Sequence, residues 1–515
     1  MATLLAVSLL TAMQPAEAQL PELPPEDRST PEQVPPLPEE NPTDESEGTS
    51  DVALSLTQAD VVTLLLQNSR ELKNAALERI AQRQELQEAE SIFQPDFTPT
   101  LQLGVVDRPG ETTDITRDAQ LEAELRTPLG TTFEVTVDLI DEQDVDLTVT
   151  QPLLRGAGRR VNTASVETAR LQETSNQINL QQRLITDITS GVQTYHALIR
   201  AQASLQIQQL SFATQQQQRR SVEALVEAGR RARFELIEID ANLAATETNV
   251  LETENSLEQA KSNLLNLLDL EESIEISIPE ETLATLSTLE QEADVPPLDE
   301  LVEIAYSNRP DYRQIQLNVQ IADLDGVVAA DNRRWNLNLR ANASTRDFSE
   351  ASTELELTRL LDDESTETAF QRNQVTQQQL QNDLARLKSD IRLDVADRLR
   401  DVESARNRIE ASRLARELAE QRLENARARE RLGRTRDIFE VLELQNSLVE
   451  AQNNEVSAAI DLADAIASLN QSLGTTLDIW APQVEASQLL IVPSSITMPE
   501  STMPENTMPE SAETR

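Results

Sequence analysis

Two short segments carry acids spaced by three: Glu235 and Glu238 in FELIEI, and Glu440 and Glu443 in FEVLEL. Positions i and i+3 share a helix face, so each pair aims two carboxylates the same way. Carboxylates so arranged, repeated around an opening, select for cations and bind them. Each pair follows a basic stretch with a glycine in it, EAGRRAR (227–233) and RLGRTR (431–436). Arg219, Arg220, Arg230, Arg231 and Arg233 surround the first glycine, and Arg427, Arg429, Arg431, Arg434 and Arg436 the second, in a chain of net charge −46. A locally basic pole of this kind attracts an acidic partner and orients its approach. The plainer reading is a solvated face diluted by Glu223, Glu227 and Glu430.

Other chemistries find no residues. There is no Cys, which removes thiolate metal sites, Cys nucleophiles and disulfides. The one His, His196, lies mid-helix with no Ser or acid at a catalytic spacing, and reads as a packing or surface residue. No DxDxDG loop is present. No nucleophile–base pair is evident, so neither an enzyme nor a cofactor is expected. The strong negative charge disfavours nucleic acid.

The elements that position these residues are long helices. Aromatics make up 3% of the chain and Gly 11 residues, a profile of helices rather than thick cores. The start, MATLLAVSLLTAMQPAEA, reads as an export signal cut before Gln19 (residues 1–18). Residues 19–54 are rich in Pro and Glu and read as a disordered linker, and 481–515, with its TMPE repeats, as a disordered tail. Between them the chain is duplicated. LLLQNSREL (64–72) matches IAYSNRPDY (304–312) at an offset of 240, and ELIEIDANL (235–243) matches EVLELQNSL (440–448) at 205. Two repeats follow, 55–270 and 298–480, joined by a linker at 271–297.

Each repeat predicts a helix of about 36 residues, strands, a helix of about 67 residues, a Gly turn and a return helix of about 36. The first set spans roughly 57–92, 161–227 and up to Leu268; the second spans 298–333, 367–432 and up to Leu473. Leu171, Ile178, Ile185, Val192 and Ile199 recur by sevens, and Leu184, Leu198, Leu205 and Phe212 form a second stripe, as for a helix packed on two sides. Val395, Val402 and Ile409 repeat the pattern in the second copy. Alternating apolar residues predict strands at 97–106, 144–152, 335–343 and 353–361. A further hairpin at 120–139 has no counterpart in the second copy and no evident place. At about 1.5 Å per residue, two short helices laid end to end match one long helix. The strands therefore gather at one end and the Gly turns at the other. Strands of this length with dyad alternation suit a membrane barrel. Four strands cannot close one alone, whereas twelve from three chains can.

Over residues 55–480 the chain resembles the TolC family of outer-membrane efflux proteins. The resemblance rests on VTQPLLRGAG (149–158), the duplicated helix opening, EAGRRARFELIEI (227–239), RLGRTRDIFEVLE (431–443) and LNQSLGTTLDIW (469–480). It departs at TRLLDDES (358–365), where the second copy lacks the Pro and Gly of the first. The resemblance implies a mainly α homotrimer: an α-helical barrel of long hairpins plus a shared twelve-stranded transmembrane β-barrel, built on an internal two-fold repeat. It implies an outer-membrane location with a large periplasmic part, and partnership with a periplasmic adaptor protein and an inner-membrane transporter. The function implied is a passive exit duct of a tripartite efflux or type I secretion system. By residue, it implies a pore constriction at Glu440 and Glu443, a closing ion-pair network of Arg436 with Glu235, and adaptor-docking tips at Gly229, Arg230, Arg231, Leu432, Gly433 and Arg434. In a threefold ring Glu440 and Glu443 would form two stacked acidic rings. The alternative reading is an exported coiled-coil scaffold of the cell envelope.

Overall fold

The computed structural model describes residues 54–106, 114–140, 144–271, 274–279, 282, 296–344, 351–361, 363–432 and 438–491. The expected export signal, nearly all of the linker 19–54 and the TMPE repeats lie outside these residues.

Two helices dominate: α4 (Ala164–Glu227), which follows the short α3 (Arg159–Asn162), and α8 (Glu364–Arg431), of 64 and 68 residues. Each is about 100 Å long. Against α4 pack α5 (Arg233–Leu268) over its C-terminal half, and α1 (Gln58–Asn68) and α2 (Arg70–Ser91) over its N-terminal half. Against α8 pack α9 (Ile438–Leu473) and, toward its N-terminus, α6 (Leu298–Asn308) and α7 (Pro310–Asn332). Helix α4 also contacts α9 and α7, so the repeats join along it. The result is four helical columns in the order α1–α2–α5, α4, α6–α7–α9, α8. Both heptad stripes of α4 face neighbours: Ile178, Ile185, Val192 and Ile199 are buried, as are Leu184 and Leu198. Val395, Val402 and Ile409 of α8 are buried too. His196 is buried, with Nδ1 2.7 Å from Asp464 Oδ1 across the seam between α4 and α9.

The two shorter opening helices are each broken, not continuous as the periodicity predicts. Ser69 leaves the helical region (ψ 121°), and its Oγ accepts from the Leu72 N–H at 3.3 Å, capping α2. The equivalent position 240 residues on is Arg309 (ψ 123°), held extended because Pro310 disfavours a helical predecessor. Short β1 (Leu54–Ser55) pairs in parallel with β6 (Ile276–Ser277), so both expected linkers contribute a strand. The tail expected from 481 begins with α11 (Ala481–Ile491), which follows α10 (Thr476–Ile479) and packs on α1 with Val484 buried.

The sheet places the hairpin. Among the described residues it has six strands, the four expected and the two of the hairpin: β2 (Asp96–Val106), β3 (Asp114–Arg126), β4 (Thr132–Asp138), β5 (Val145–Pro152), β7 (Asn336–Ser344) and β8 (Ala351–Thr358). They run antiparallel in that order. The unplaced hairpin is β3–β4, inserted between β2 and β5. Its turn lies against the VTQPLLRGAG junction. The Gly158 N–H donates to the Leu129 carbonyl (3.2 Å), and Arg126 Nη2 donates to Asn162 Oδ1 (3.0 Å). Asn162 Nδ2 donates in turn to the Gly156 and Gly158 carbonyls, both at 2.8 Å. Gly130 has φ +93°, and a Cβ there would press on the Gly156 carbonyl oxygen. Only glycine meets both demands.

One face of the sheet is apolar and open: Phe97, Leu101, Leu103, Val105, Phe133, Leu147, Leu339, Leu355 and Leu357 are all exposed. Below it, at the junction with the helices, Leu129, Leu153, Leu154, Trp335, Leu360 and Leu361 form a further exposed apolar band. Among the described residues no helix is long and apolar enough to cross a membrane.

Candidate functional site at the helical tips

The end opposite the sheet is built from two turns. Helix α4 stops because Gly229 adopts φ +67°. The Gly229 N–H donates to the Val226 carbonyl (2.9 Å) and the Arg230 N–H to the Leu225 carbonyl (2.8 Å), a Schellman closure that satisfies the last carbonyls of the helix. The chain re-enters a helix at Arg233 after five residues. In the second copy α8 ends at Arg431 and α9 begins at Ile438, after six residues. Leu432 is described and 68% exposed; Gly433, Arg434 and Arg436 lie outside the described residues.

Buried apolar residues fix how the hairpins meet. Leu423, Ala426 and Val441 close the second hairpin on itself. Leu442 instead reaches across to Val222 and Ile239 of the first. With Val441, Leu442 and Gln445 all buried, Glu440 and Glu443 fall on the opposite side of α9. They share that side, as i, i+3 spacing requires. Glu440 is half-buried and accepts from Arg429 Nη2 at 2.7 Å; Glu443 is exposed.

One ion-pair cluster bridges the tips. Arg231 Nη1 donates to Glu235 Oε2 (3.0 Å) and Nη2 to Glu430 Oε1 (2.6 Å). Arg231 and Glu235 are 14% and 13% exposed and Glu430 25%. Glu235 Oε1 also accepts from the Ala232 N–H (3.3 Å), capping α5 at its positive end. The described partner of Glu235 is Arg231; Arg436, the partner expected from the sequence, lies outside the described residues. The sequence reading put Arg231 among docking residues; the structure places it between the hairpins. Arg230 and Arg233 are exposed.

The sequence alone does not single out the exposed apolar residues of the tips. Phe234 (62% exposed), Ile237 (67%) and Phe439 (44%) join Leu432 on the surface, beside the arginines. The signal was present: the two Phe-Glu pairs align at the offset of 205, in a chain with eight Phe.

No sequence-family model matches the chain, and no curated protein matches it by sequence. Solved structures do. The outer-membrane channel OprN is 18% identical with a TM-score of 0.62, the match covering 81% of this chain and 90% of OprN. CusC, whose structures follow folding and transmembrane channel formation, is 16% identical with a TM-score of 0.63, covering 82% and 93%. The outer-membrane protein VceC of Vibrio cholerae is 15% identical with a TM-score of 0.61, covering 81% and 96%. The fold is that of a TolC-type outer-membrane channel.

Proposed function

We propose that this chain is one subunit of a homotrimeric exit duct, its sheet in the outer membrane and its helices spanning the periplasm. The carrying observation is the sheet: an exposed apolar face on strands whose outer edges, β2 and β8, pair with nothing among the described residues. Open edges and bare apolar faces are not tolerated in water, and open edges are not tolerated in lipid either. Joining copies edge to edge closes the edges, and lipid around the closed wall covers the apolar face. In this reading residues 1–18 direct export, 55–270 and 298–480 are the two duct repeats, and 19–54 and the chain beyond α11 are tails.

The duct is passive. Its tips dock a periplasmic adaptor through Gly229, Arg230, Leu432, Gly433 and Arg434, with Phe234, Ile237 and Phe439 adding the apolar area such a contact needs. The adaptor links the duct to an inner-membrane transporter, in efflux or type I secretion. Glu440 and Glu443 line the constriction and Arg231, Glu235 and Glu430 hold the hairpins closed, with Arg436 a further member of that network. Cell fractionation followed by detergent extraction tests the reading. A membrane-bound trimer supports it. A protein soluble without detergent would favour the coiled-coil scaffold of the envelope.

A further inference from the structure

We infer that the trimer closes a barrel of eighteen strands, not twelve, with β2 of each copy zipped to β8 of the next. The inference rests on the trimeric duct proposed above. The described residues of each chain bring six strands in one continuous ladder, so three copies bring eighteen.

The inserted hairpin is part of the wall. Strand β2 pairs with β3 over its full length, from Asp96↔Glu124 to Val106↔Asp114, and has no pairing with β5. The faces stay in phase across the insertion. An apolar row runs Phe97, Ala123, Val135, Leu147, Ala343, Ala351. The adjacent polar row runs Asp96, Glu124, Glu134, Thr148, Asn342, Ser352. A hairpin lying outside the wall has no reason to keep this dyad pattern in step with its neighbours. Three acids directly abreast, Asp96, Glu124 and Glu134, repel one another and belong in water. They therefore mark the lumen side, and the Phe97 row the lipid side. The clamp of Leu129, Gly130 and Arg126 onto the Gly156–Asn162 junction anchors the hairpin at the same level as the other strands.

The geometry also closes. With an even number of strands, β2 and β8 run in opposite senses, so successive copies meet antiparallel. The helical columns follow the strands in order: β2 leaves α2, β5 leads to α4, β7 leaves α7 and β8 leads to α8. Both layers thus place their subunit seam between the same two edges. Twelve columns at 8–10 Å spacing need a ring of roughly 95–120 Å circumference. Eighteen strands about 4.8 Å apart, tilted about 40°, give roughly 110 Å, whereas twelve give roughly 75 Å. The larger barrel fits the helical ring without a constriction at the junction. Its lumen is about one and a half times as wide as that of a twelve-stranded wall.

The absence of native Cys makes cross-linking clean. In detergent-extracted trimers, a short bifunctional thiol reagent should join F97C to A123C and V135C to L147C within one chain, and should not join F97C to L147C. Cross-linking of F97C to L147C with failure of the other two, in trimers that still conduct, would overturn the eighteen-stranded wall while leaving the duct intact. Loss of both trimer and conductance in the unmodified protein would remove the duct itself and the barrel with it. Should the variants not assemble, threefold-averaged electron cryomicroscopy of the unmodified trimer decides by the strand count, eighteen for the proposal and twelve against it.

Discussion

Replacing Arg231 with Ala should loosen the closed tips by a predictable amount. Its guanidinium holds Glu235 and Glu430 at 3.0 and 2.6 Å, and all three side chains are at least three-quarters shielded. Removing one partner of a fully buried pair costs about 3–5 kcal/mol, because the remaining charges stay desolvated. Glu430 keeps a quarter of its exposure, so we take a value below that range, about 2 kcal/mol per subunit. That is about 30-fold in the balance between closed and open hairpins. The Val222–Ile239–Leu442 cluster is untouched, so the hairpins should stay folded. The assay is single-channel conductance in a planar bilayer beside thermal melting of the trimer. R231A should raise conductance or open time with little change in melting. The swapped pair R231E with E430R should restore part of the closure, since that bridge can re-form with reversed sign. Unchanged conductance in R231A, or no rescue by the swap, would refute the assignment of this bridge to closing the duct.

Other predictions follow from the same structure. Changing Glu440 and Glu443 together to Ala should abolish block by multivalent cations applied from the tip side, and persistent block would refute their placement at the constriction. Gly130→Ala should destabilise the β3–β4 turn by about 2 kcal/mol or more, from its φ of +93° and the crowding by Gly156, lowering the yield of folded trimer; normal yield would show that the turn is not clamped. Arg79 bonds Glu173 between α2 and α4, holding that carboxyl below its ordinary value of 4.5. A depressed carboxyl stabilises the fold above its unfolded value, and that contribution is lost as pH falls through the folded one. The stability gap between wild type and Arg79→Met should therefore be full at neutral pH and shrink below about pH 4.5, as read by helix melting.

The sequence made the helical half of this architecture plain and the β half less so. Long helices announce themselves by period: the stripes through Ile185 and Leu198 each run for about eight turns, and most of their residues prove buried. Ser69 escaped notice because a single capping residue leaves the apolar period intact. The equivalent break before Pro310 is written in the proline itself. The strands at 97–106 and 335–343 were legible from alternation, but strand order is a long-range property. Nothing local in EAELRTPLGTTFEVTV tells whether the hairpin joins the wall; the ladder registers of β3 with β2 and of β4 with β5 do. At the tips, the glycine and the paired acids were visible. The role of Arg231 was not, because its partner Glu430 lies 199 positions away. Phe234 and Phe439 were overlooked beside so many charges, although the repeat aligns them.

The central claim is that the sheet end forms a membrane pore shared between copies of this chain. The measurement that tests it most directly is conductance of purified, detergent-extracted protein in a planar lipid bilayer. The account predicts stepwise, uniform channels from a species of three chain masses. Absence of discrete channels from well-folded trimers, or channels from monomers alone, would contradict it.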